Sequence, residues 1–563
     1  MTSSEAVAFA LPTATAHADV RLVLVIRCCR LPMLETTLAW VRRECPAATV
    51  DVLSSPGVDA ELHEAGAARV IHYTGRQLRL VRDARLLATL RGDRYDLVVV
   101  PQMTDADASY ANVHRVALAT GAPRVVVAAP GRDPRWLDRA CFRRFTVTTT
   151  LMAMLAALDP ALLLVLLATA WLLPRRAPRP RAGRRRVLHV ITTFGVGGAQ
   201  VQLAELLVRT PPDRFDVSVF VLARHDGDFS RQWLRGHDAD IRYSGAWPSL
   251  AFVVLEIARE CRRGCYDVVH TWLFMANVVG AAGARLGGGA RIVGSVRNLS
   301  LWKRTWYRQW WYRLADALAT RVADVVTVNA SALVADHACW TWSSPARLEV
   351  VHNGLDPAAV VREATGAHGW LRADLGLDAD TPLVGTVGRL APEKDHETFV
   401  RAFARARAER PDLHGVIVGD GELRPALMRL AGELGIGDAL HFLGSRRDSR
   451  RIIAALDVFV LTSRIEGFPN VLLEAAFLGI PAVATDVGGS GDVLDREDLV
   501  APGDTGATAR AIAARVERPD AARFHAAAIR RRAHERFTAE RTTGRWLALY
   551  DRLIPAKETI RED

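Results

Sequence analysis

Short Val-rich runs, separated by helix-length stretches, recur along almost the whole chain, and this alternation constrains the fold more than any other feature. RLVLVIR (21–27) is the first such run, and others follow at 49–53, 69–73, 96–100 and 124–129. Helical patterns fill the gaps at 34–44, 77–90 and 109–120. Continuous apolar strands alternating with helices imply a parallel sheet covered on both faces. Residues 20–138 are therefore expected to form one Rossmann-like α/β layer, preceded by a loose N-terminus over 1–19. A second pattern runs from Arg186 to the end. Its first strands are VLHVIT (187–192), DVSVFVL, YDVVHT, RIVGSV, DVVTVN and LEVVHN; after a linker near 356–380 come LVGTVGR, GVIVGDG, LHFLG, VFVLTS and PAVATD. Two successive parallel-sheet units predict two Rossmann-like domains, 187–360 and 370–536, facing a cleft.

Between these patterns lies LMAMLAALDPALLLVLLATAWLL (151–173), 23 residues whose one charge is Asp159. That length is enough to cross a bilayer. Residues 145–174 are expected to be a membrane-associated segment, as a re-entrant hairpin, an interfacial helix or a span. Asp159-Pro160 would break the helix and put a carboxyl at membrane depth. The basic linker follows: residues 174–186 hold seven arginines and three prolines, the signature of a cytoplasmic flank. No basic region precedes an apolar core at the N-terminus, so no signal peptide is expected. In LWKRTWYRQWWYRL (301–314), Trp302, Trp306, Trp310 and Leu314 share one helical face with Lys303, Arg304, Arg308 and Arg313 interleaved. That mixture suits an anionic headgroup layer, or an internal helix packing its aromatics in the cleft.

The 563-residue chain carries a net charge of +11, which points to an anionic partner. Arginine supplies nearly all of it, since the chain holds three lysines, Lys303, Lys394 and Lys557. The seven cysteines form no CxxC and no His/Cys cluster, so no metal site or disulfide framework is expected. No nucleic-acid fold signature is present.

Three strings carry chemistry. In FGVGGAQ, Gly197 and Gly198 sit between a strand and a helix, where backbone N–H groups can approach a phosphate or sugar. In GRLAPEKDH, Arg389 and Lys394 lie beyond the C-terminal end of a strand, the ligand-binding edge of a parallel sheet. Two cations there can clamp a pyrophosphate and neutralise leaving-group charge. In IEGFPNVLLEA, Glu466 precedes a helix expected over 470–478, with Pro469 as its first residue; the helix N-terminus attracts an anion. Glu474, one turn in, can accept two hydroxyls, as from a ribose.

With GGAQ, VVHNGLD (350–356), GRLAPEKDH, GDGEL (419–423) and EGFPNVLLEA, residues 187–555 resemble a family 4 glycosyltransferase of the GT-B fold. The resemblance implies retaining, metal-independent hexosyl transfer from a nucleotide sugar, with no cofactor. It implies that Arg389 and Lys394 bind pyrophosphate, Glu474 the ribose and Glu466 the donor sugar. Gly197, Gly198, Leu443, Gly467, Phe468, Pro469, Asn470 and Val471 would complete the donor site. A C-terminal helix over 537–555 would pack back on the first GT-B domain. The family's HxHxxHA pattern is altered here to HTWLFMAN: His270 remains as a candidate catalytic residue or a strand-end histidine, while Trp272 and Met275 replace the other two. Residues 20–135 resemble, more diffusely, the N-terminal half of heptosyltransferase-type GT-B enzymes, through LVLVIRCCRLPMLETTLAW, AATVDVL and YDLVVVPQ, and are read as accessory. The expectation is a membrane-associated transferase on the cytoplasmic side of the inner membrane, acting on a lipid-linked or polysaccharide acceptor in envelope or exopolysaccharide synthesis. The alternatives are a catalytically degenerate scaffold and a nucleotide-sugar epimerase.

Overall fold

The structure is a computed structural model, and it describes residues 19–27, 31–54, 59–73, 84–101, 111–128, 135–136, 158–175, 183–195, 197–223, 240–246, 249–301, 303, 310–366 and 369–554. The chain divides into two compact units, Met1–Ala157 and Leu158–Asp563.

The first unit is built on six strands, β1 (Leu22–Ile26), β2 (Thr49–Ser54), β3 (Arg69–His72), β4 (Leu97–Pro101), β5 (Arg124–Ala128) and β6 (Arg135–Trp136), in the order β3-β2-β1-β4-β5-β6. All pairs are parallel except β5–β6. The central strand LVVVP is buried throughout, as a sheet covered on both faces demands. A polar knot closes one edge. Arg69 donates to Asp51 at 2.6 Å and to Asp93 at 2.7 Å, while the Tyr95 hydroxyl donates to Asp51 at 2.9 Å. Cys28 and Cys29 lie outside the described residues.

The second unit carries two sheets. The first holds β7 (Arg185–Ile191), β8 (Phe215–Val221), β9 (Asp240–Tyr243), β10 (Val268–Trp272), β11 (Arg291–Val296), β12 (Val325–Val328) and β13 (Leu348–Val350), in the order β13-β12-β11-β10-β7-β8-β9, with every pair parallel. The second holds β14 (Leu383–Val387), β15 (His414–Val418), β16 (Leu440–Gly444), β17 (Val458–Leu461), β18 (Ala482–Thr485) and β19 (Leu499–Val500), in the order β16-β15-β14-β17-β18-β19, again all parallel. Parallel strands put all their C-terminal ends on one edge, so each sheet has a single ligand-facing rim. The last helix among the described residues, Ala539–Leu553, returns to the first sheet. There Trp546, Leu549 and Tyr550 join Val187, Phe215 and Trp272 in one core, and Arg185 pairs with Asp551.

The apolar segment departs from the sequence-based expectation. Residues 151–157 lie outside the described residues. Residues 158–172 form a helix whose Leu163, Leu167 and Ala170 are sealed in the protein core, a spacing of four and three residues that lines one helical face. Asp159 is not at membrane depth. Its Oδ1 accepts from Ser249 Oγ at 2.8 Å and the Ala251 N–H at 2.9 Å, and its Oδ2 accepts from the Leu250 N–H at 2.7 Å. It thus supplies the cap that Ser249, the residue before helix Leu250–Gly264, does not provide with its own side chain. Among the described residues no helix is long and apolar enough to cross a membrane. In the aromatic stretch, Trp302, Arg304, Trp306 and Arg308 lie outside the described residues. Lys303 is not interfacial: it is buried and paired with Asp316. Arg313 donates to the Trp340 carbonyl, whereas Trp310 is 74% exposed.

Asp159→Ala should lower unfolding stability by about 2 kcal/mol, because three donors lose their acceptor. Asp159→Asn, which keeps one acceptor oxygen, should lose less. Denaturant midpoints of the two variants check the order.

Candidate functional site

The rims of the two sheets in the second unit meet around a cavity of about 430 Å³. The first sheet contributes Thr192 and Thr193 after β7, Arg297 and Asn298 after β11, Asn329 after β12 and Asn353 after β13. The second contributes Arg389 after β14 and Glu466–Phe468 after β17.

One helix N-terminus, at Gly198, lines the cavity, and a second, at Asn470, stands next to it. Gly197 precedes helix Gly198–Arg209 with φ −179°, and Pro469 precedes helix Asn470–Leu478; neither helix has a side-chain cap. A Cβ on Gly198 would sit 3.5 Å from Nδ2 of the Asn470 side chain, so the first residues of the two helices are neighbours. Each brings unpaired N–H groups and a positive dipole end, a setting that favours an anion. Pro469 is the residue before the helix rather than its first residue, so its fixed φ shapes the entry to the helix.

Arg389 lines the cavity, is largely exposed and pairs with Glu393. Its backbone is held by the GDGEL loop: the Leu390 N–H donates to the Asp420 carbonyl at 3.0 Å, and the Leu423 N–H to the Leu390 carbonyl at 3.1 Å. Gly419, at φ +137°, approaches so closely that a Cβ would stand 1.9 Å from the Gly388 carbonyl oxygen, which explains the glycine. Lys394 Nζ donates to Glu466 Oε1 at 2.6 Å, and Ser463 Oγ donates to the same oxygen at 2.7 Å. Lys394 therefore reaches the cavity through Glu466.

Glu474 lies one turn into its helix, buried, with Arg450 Nε donating to Oε1 at 3.0 Å; burial pushes its carboxyl pKa up, against the pull of Arg450. Phe468 is buried, with its ring centroid 5.4 Å from that of Phe537. Leu443 in β16 and Val471 in the helix are half-buried beside the core; neither they nor Pro469, Asn470 and Glu474 line the cavity.

His270 is the clearest difference between sequence and structure. It is fully buried in β10, with Nδ1 at 2.6 Å from the Tyr550 hydroxyl and Nε2 at 2.8 Å from Ser295 Oγ. Both nitrogens are committed, and burial pushes its pKa well below the usual histidine range. Of its two readings the geometry matches the structural one, although His270 stands at the middle of β10, in the core, rather than at the strand's end. Trp272 is buried too, donating from Nε1 to His189 Nδ1 at 3.1 Å, while Met275 lines the cavity.

Sequence reasoning passed over Arg297, Asn298, Asn329 and Asn353. The signal was present: each stands just past a Val-rich strand, in VRN, VNA and VHN, where the topology places ligand groups. Asn353 joins the rims, accepting from Arg297 Nη1 at 2.7 Å and donating to Asn470 Oδ1 at 2.8 Å. Gln202 fixes the adjoining Gly354 by bonding both its N–H and its carbonyl at 2.8 Å.

Residues 196–359 match the family described as Glycosyltransferase Family 4, and residues 381–518 match the one described as Glycosyl transferases group 1. One match covers each half of the cleft. The second unit is similar to glycosyltransferases in sequence and in fold. The chain is 27% identical over 314 residues to the Vi polysaccharide biosynthesis protein VipC/TviE of Salmonella typhi, a match covering 53% of this chain and 54% of that protein. It is 30% identical over 253 residues to the UDP-Gal:alpha-D-GlcNAc-diphosphoundecaprenol alpha-1,3-galactosyltransferase of Escherichia coli, covering 43% of this chain and 64% of that one. The chain thus spans between about half and two thirds of the length of these two relatives. The crystal structure of Anabaena Alr3699/HepE in complex with UDP superposes with a TM-score of 0.57 at 24% identity, over 65% of this chain and 99% of that one, which establishes the shared GT-B fold. The glycosyltransferase-like half thus has both of its sheets represented in that fold.

A Cβ on Gly467 would lie 2.0 Å from the Arg297 carbonyl oxygen, whereas one on Gly198 meets only an ordinary contact. Gly467→Ala should therefore destabilise the unit by roughly 1–3 kcal/mol, because backbone must move. Gly198→Ala should be near neutral. Denaturant unfolding of the matched pair checks this contrast.

Proposed function

We propose that this chain is a retaining, metal-independent hexosyltransferase that moves a sugar from a nucleotide-sugar donor to a lipid-linked or polysaccharide acceptor, in the synthesis of a cell-envelope glycan or exopolysaccharide. The observation that carries this reading is one cavity lined by the uncapped N-terminus of the Gly198 helix and by Arg389, with the second uncapped N-terminus, at Asn470, standing beside Gly198. Such an arrangement suits a diphosphate whose charge grows as its bond to the sugar breaks. UDP in the HepE structure and the UDP-galactose of the E. coli relative's name support a nucleotide diphosphate donor.

In this mechanism the bond from the sugar's anomeric carbon to the diphosphate oxygen lengthens first. Arg389, Lys394 and the Asn470 N-terminus stabilise the departing diphosphate. The acceptor hydroxyl forms its bond on the same face of the sugar, and its proton passes to the leaving phosphate oxygen. Glu466, held by Lys394 and Ser463, orients the donor sugar. Glu474, oriented by Arg450, serves the ribose. His270 has no part, since its ring is sealed in the core.

The reading includes a membrane surface on the cytoplasmic side. Its support is the outward face of the 158–172 helix, where Leu158, Leu162, Val165 and Leu172 are exposed, the last by 77%. The neighbouring helix Leu250–Gly264 exposes Phe252 and Leu255 together with Arg259, Arg262 and Arg263. Apolar side chains flanked by arginines suit the boundary of an anionic bilayer.

Arg389→Ala or Lys394→Ala should cut turnover by roughly 100-fold, as for lost transition-state donors. The assay is UDP release from nucleotide sugars, and unchanged rates at saturating donor would remove both residues from the mechanism. For the membrane, the full chain should stay with anionic vesicles through a high-salt wash, because apolar burial is little screened. The Leu162→Asp, Val165→Asp double variant should be released; its retention would place the contact elsewhere.

A further inference from the structure

We propose that Arg297 binds an oxyanion, a carboxylate or a phosphate, carried by one of the two sugar substrates. This deepens the transferase reading and rests on it for the identity of the cavity.

The argument begins with charge. Among the described residues three cations line the cavity: Arg297, Lys303 and Arg389. Lys303 is paired with Asp316, and Arg389 with Glu393. Lys394, just behind, is paired with Glu466. Arg297 has no carboxylate partner among the described residues; its Nη1 donates to the neutral amide oxygen of Asn353. Its Nε and Nη2 are shielded from solvent and have no acceptor. The guanidinium lies 4.4 Å from the centroid of the Trp272 ring and 5.6 Å from that of Trp546, so the aromatic faces offset part of its desolvation without neutralising it. Burial pushes its pKa down to about 9, which still leaves it charged at neutral pH.

A desolvated cation without a counter-charge is costly, and proteins keep such groups where a ligand completes them. Two more unpartnered buried atoms line the same cavity, Thr192 Oγ1 and Asn329 Oδ1. These can bond hydroxyl groups. A polyol bearing one acidic group therefore matches the unsatisfied inventory of the cavity better than a neutral sugar does. Planar guanidinium suits carboxylate or phosphate through paired N–H donors. The Arg297 carbonyl abuts Gly467, next to Glu466, so the anion would sit beside the sugar being transferred, on the donor or on the acceptor.

The test uses the full chain, with its tryptophan fluorescence and calorimetry as readouts. UDP-glucuronate is compared with UDP-glucose; then, with UDP saturating, glucuronate and glucose 6-phosphate are each compared with glucose. The unaltered chain should favour the charged member of at least one pair by about tenfold or more, the worth of a charge-assisted hydrogen bond. Preference in the nucleotide-sugar pair assigns the anion to the donor, and preference among the free sugars assigns it to the acceptor. Arg297→Gln should abolish that preference while leaving UDP affinity unchanged, and Arg297→Lys should keep part of it. No preference in the unaltered chain overturns the proposal even if the Gln variant fails to fold, and so does a preference that survives in a folded Gln variant. UDP binding without anion selectivity sinks this proposal and leaves the transferase reading standing. Anion selectivity lost in Arg297→Gln, in a chain that binds neither UDP nor GDP nor any other nucleoside diphosphate, supports the site and sinks the transferase reading.

Discussion

Backbone packed directly against backbone sets the width of the cleft. Gly467, from the second sheet's loop, lies so close to the Arg297 carbonyl that no side chain fits between them. On either side of this contact the polar groups fall into place. Asn353 reaches from the first rim to Asn470, and Gly198 stands beside the same asparagine. Glu466 precedes the contact by one residue and is fixed by Lys394 and Ser463. The two helix N-termini are thus brought together by packing, with no charge pair between them needed. Their like-signed dipole ends repel each other weakly, a repulsion that an anion placed between them would relieve.

Much of the fold was legible in the sequence because a parallel sheet leaves a plain signature. VLHVI (187–191) lies within the strand Arg185–Ile191, and LVGTV is the strand Leu383–Val387. The helix 470–478 is also where its pattern put it. Glycine and glutamate motifs gave away the cavity's outline, since close approach and helix ends need particular residue types. His270 could not be placed that way. Its environment is completed by Tyr550 and Trp546, some 280 positions later in the chain, and local pattern carries no trace of that. The polar residues just past the strands of the first half were equally visible as letters, but they stand in no glycine-rich turn.

The apolar run over 151–173 shows a different limit. A helix with apolar residues on every side has no internal mark telling protein from lipid. In the described part, Leu163 and Leu167 face the core while Leu162 and Val165 face outward. The decisive residue was Asp159, whose charge looked like an intrusion in an apolar stretch and is instead the cap of a helix some 90 residues away. Its pairing also ties this helix to the second unit and sets the unit's beginning ahead of the arginine-rich linker.

The return of the last helix to the first sheet has a consequence for how the protein is made. Arg185 and Asp551, 366 positions apart, meet only once residue 551 has been made. Until then the first sheet lacks Trp546, Leu549 and Tyr550, so Phe215 and Trp272 lack part of their cover. At roughly 5–20 residues per second of synthesis, that face stays open for about 20–70 seconds. The growing chain thus carries an uncovered apolar face over the synthesis of those 366 residues, the kind of surface that aggregates unless it is shielded.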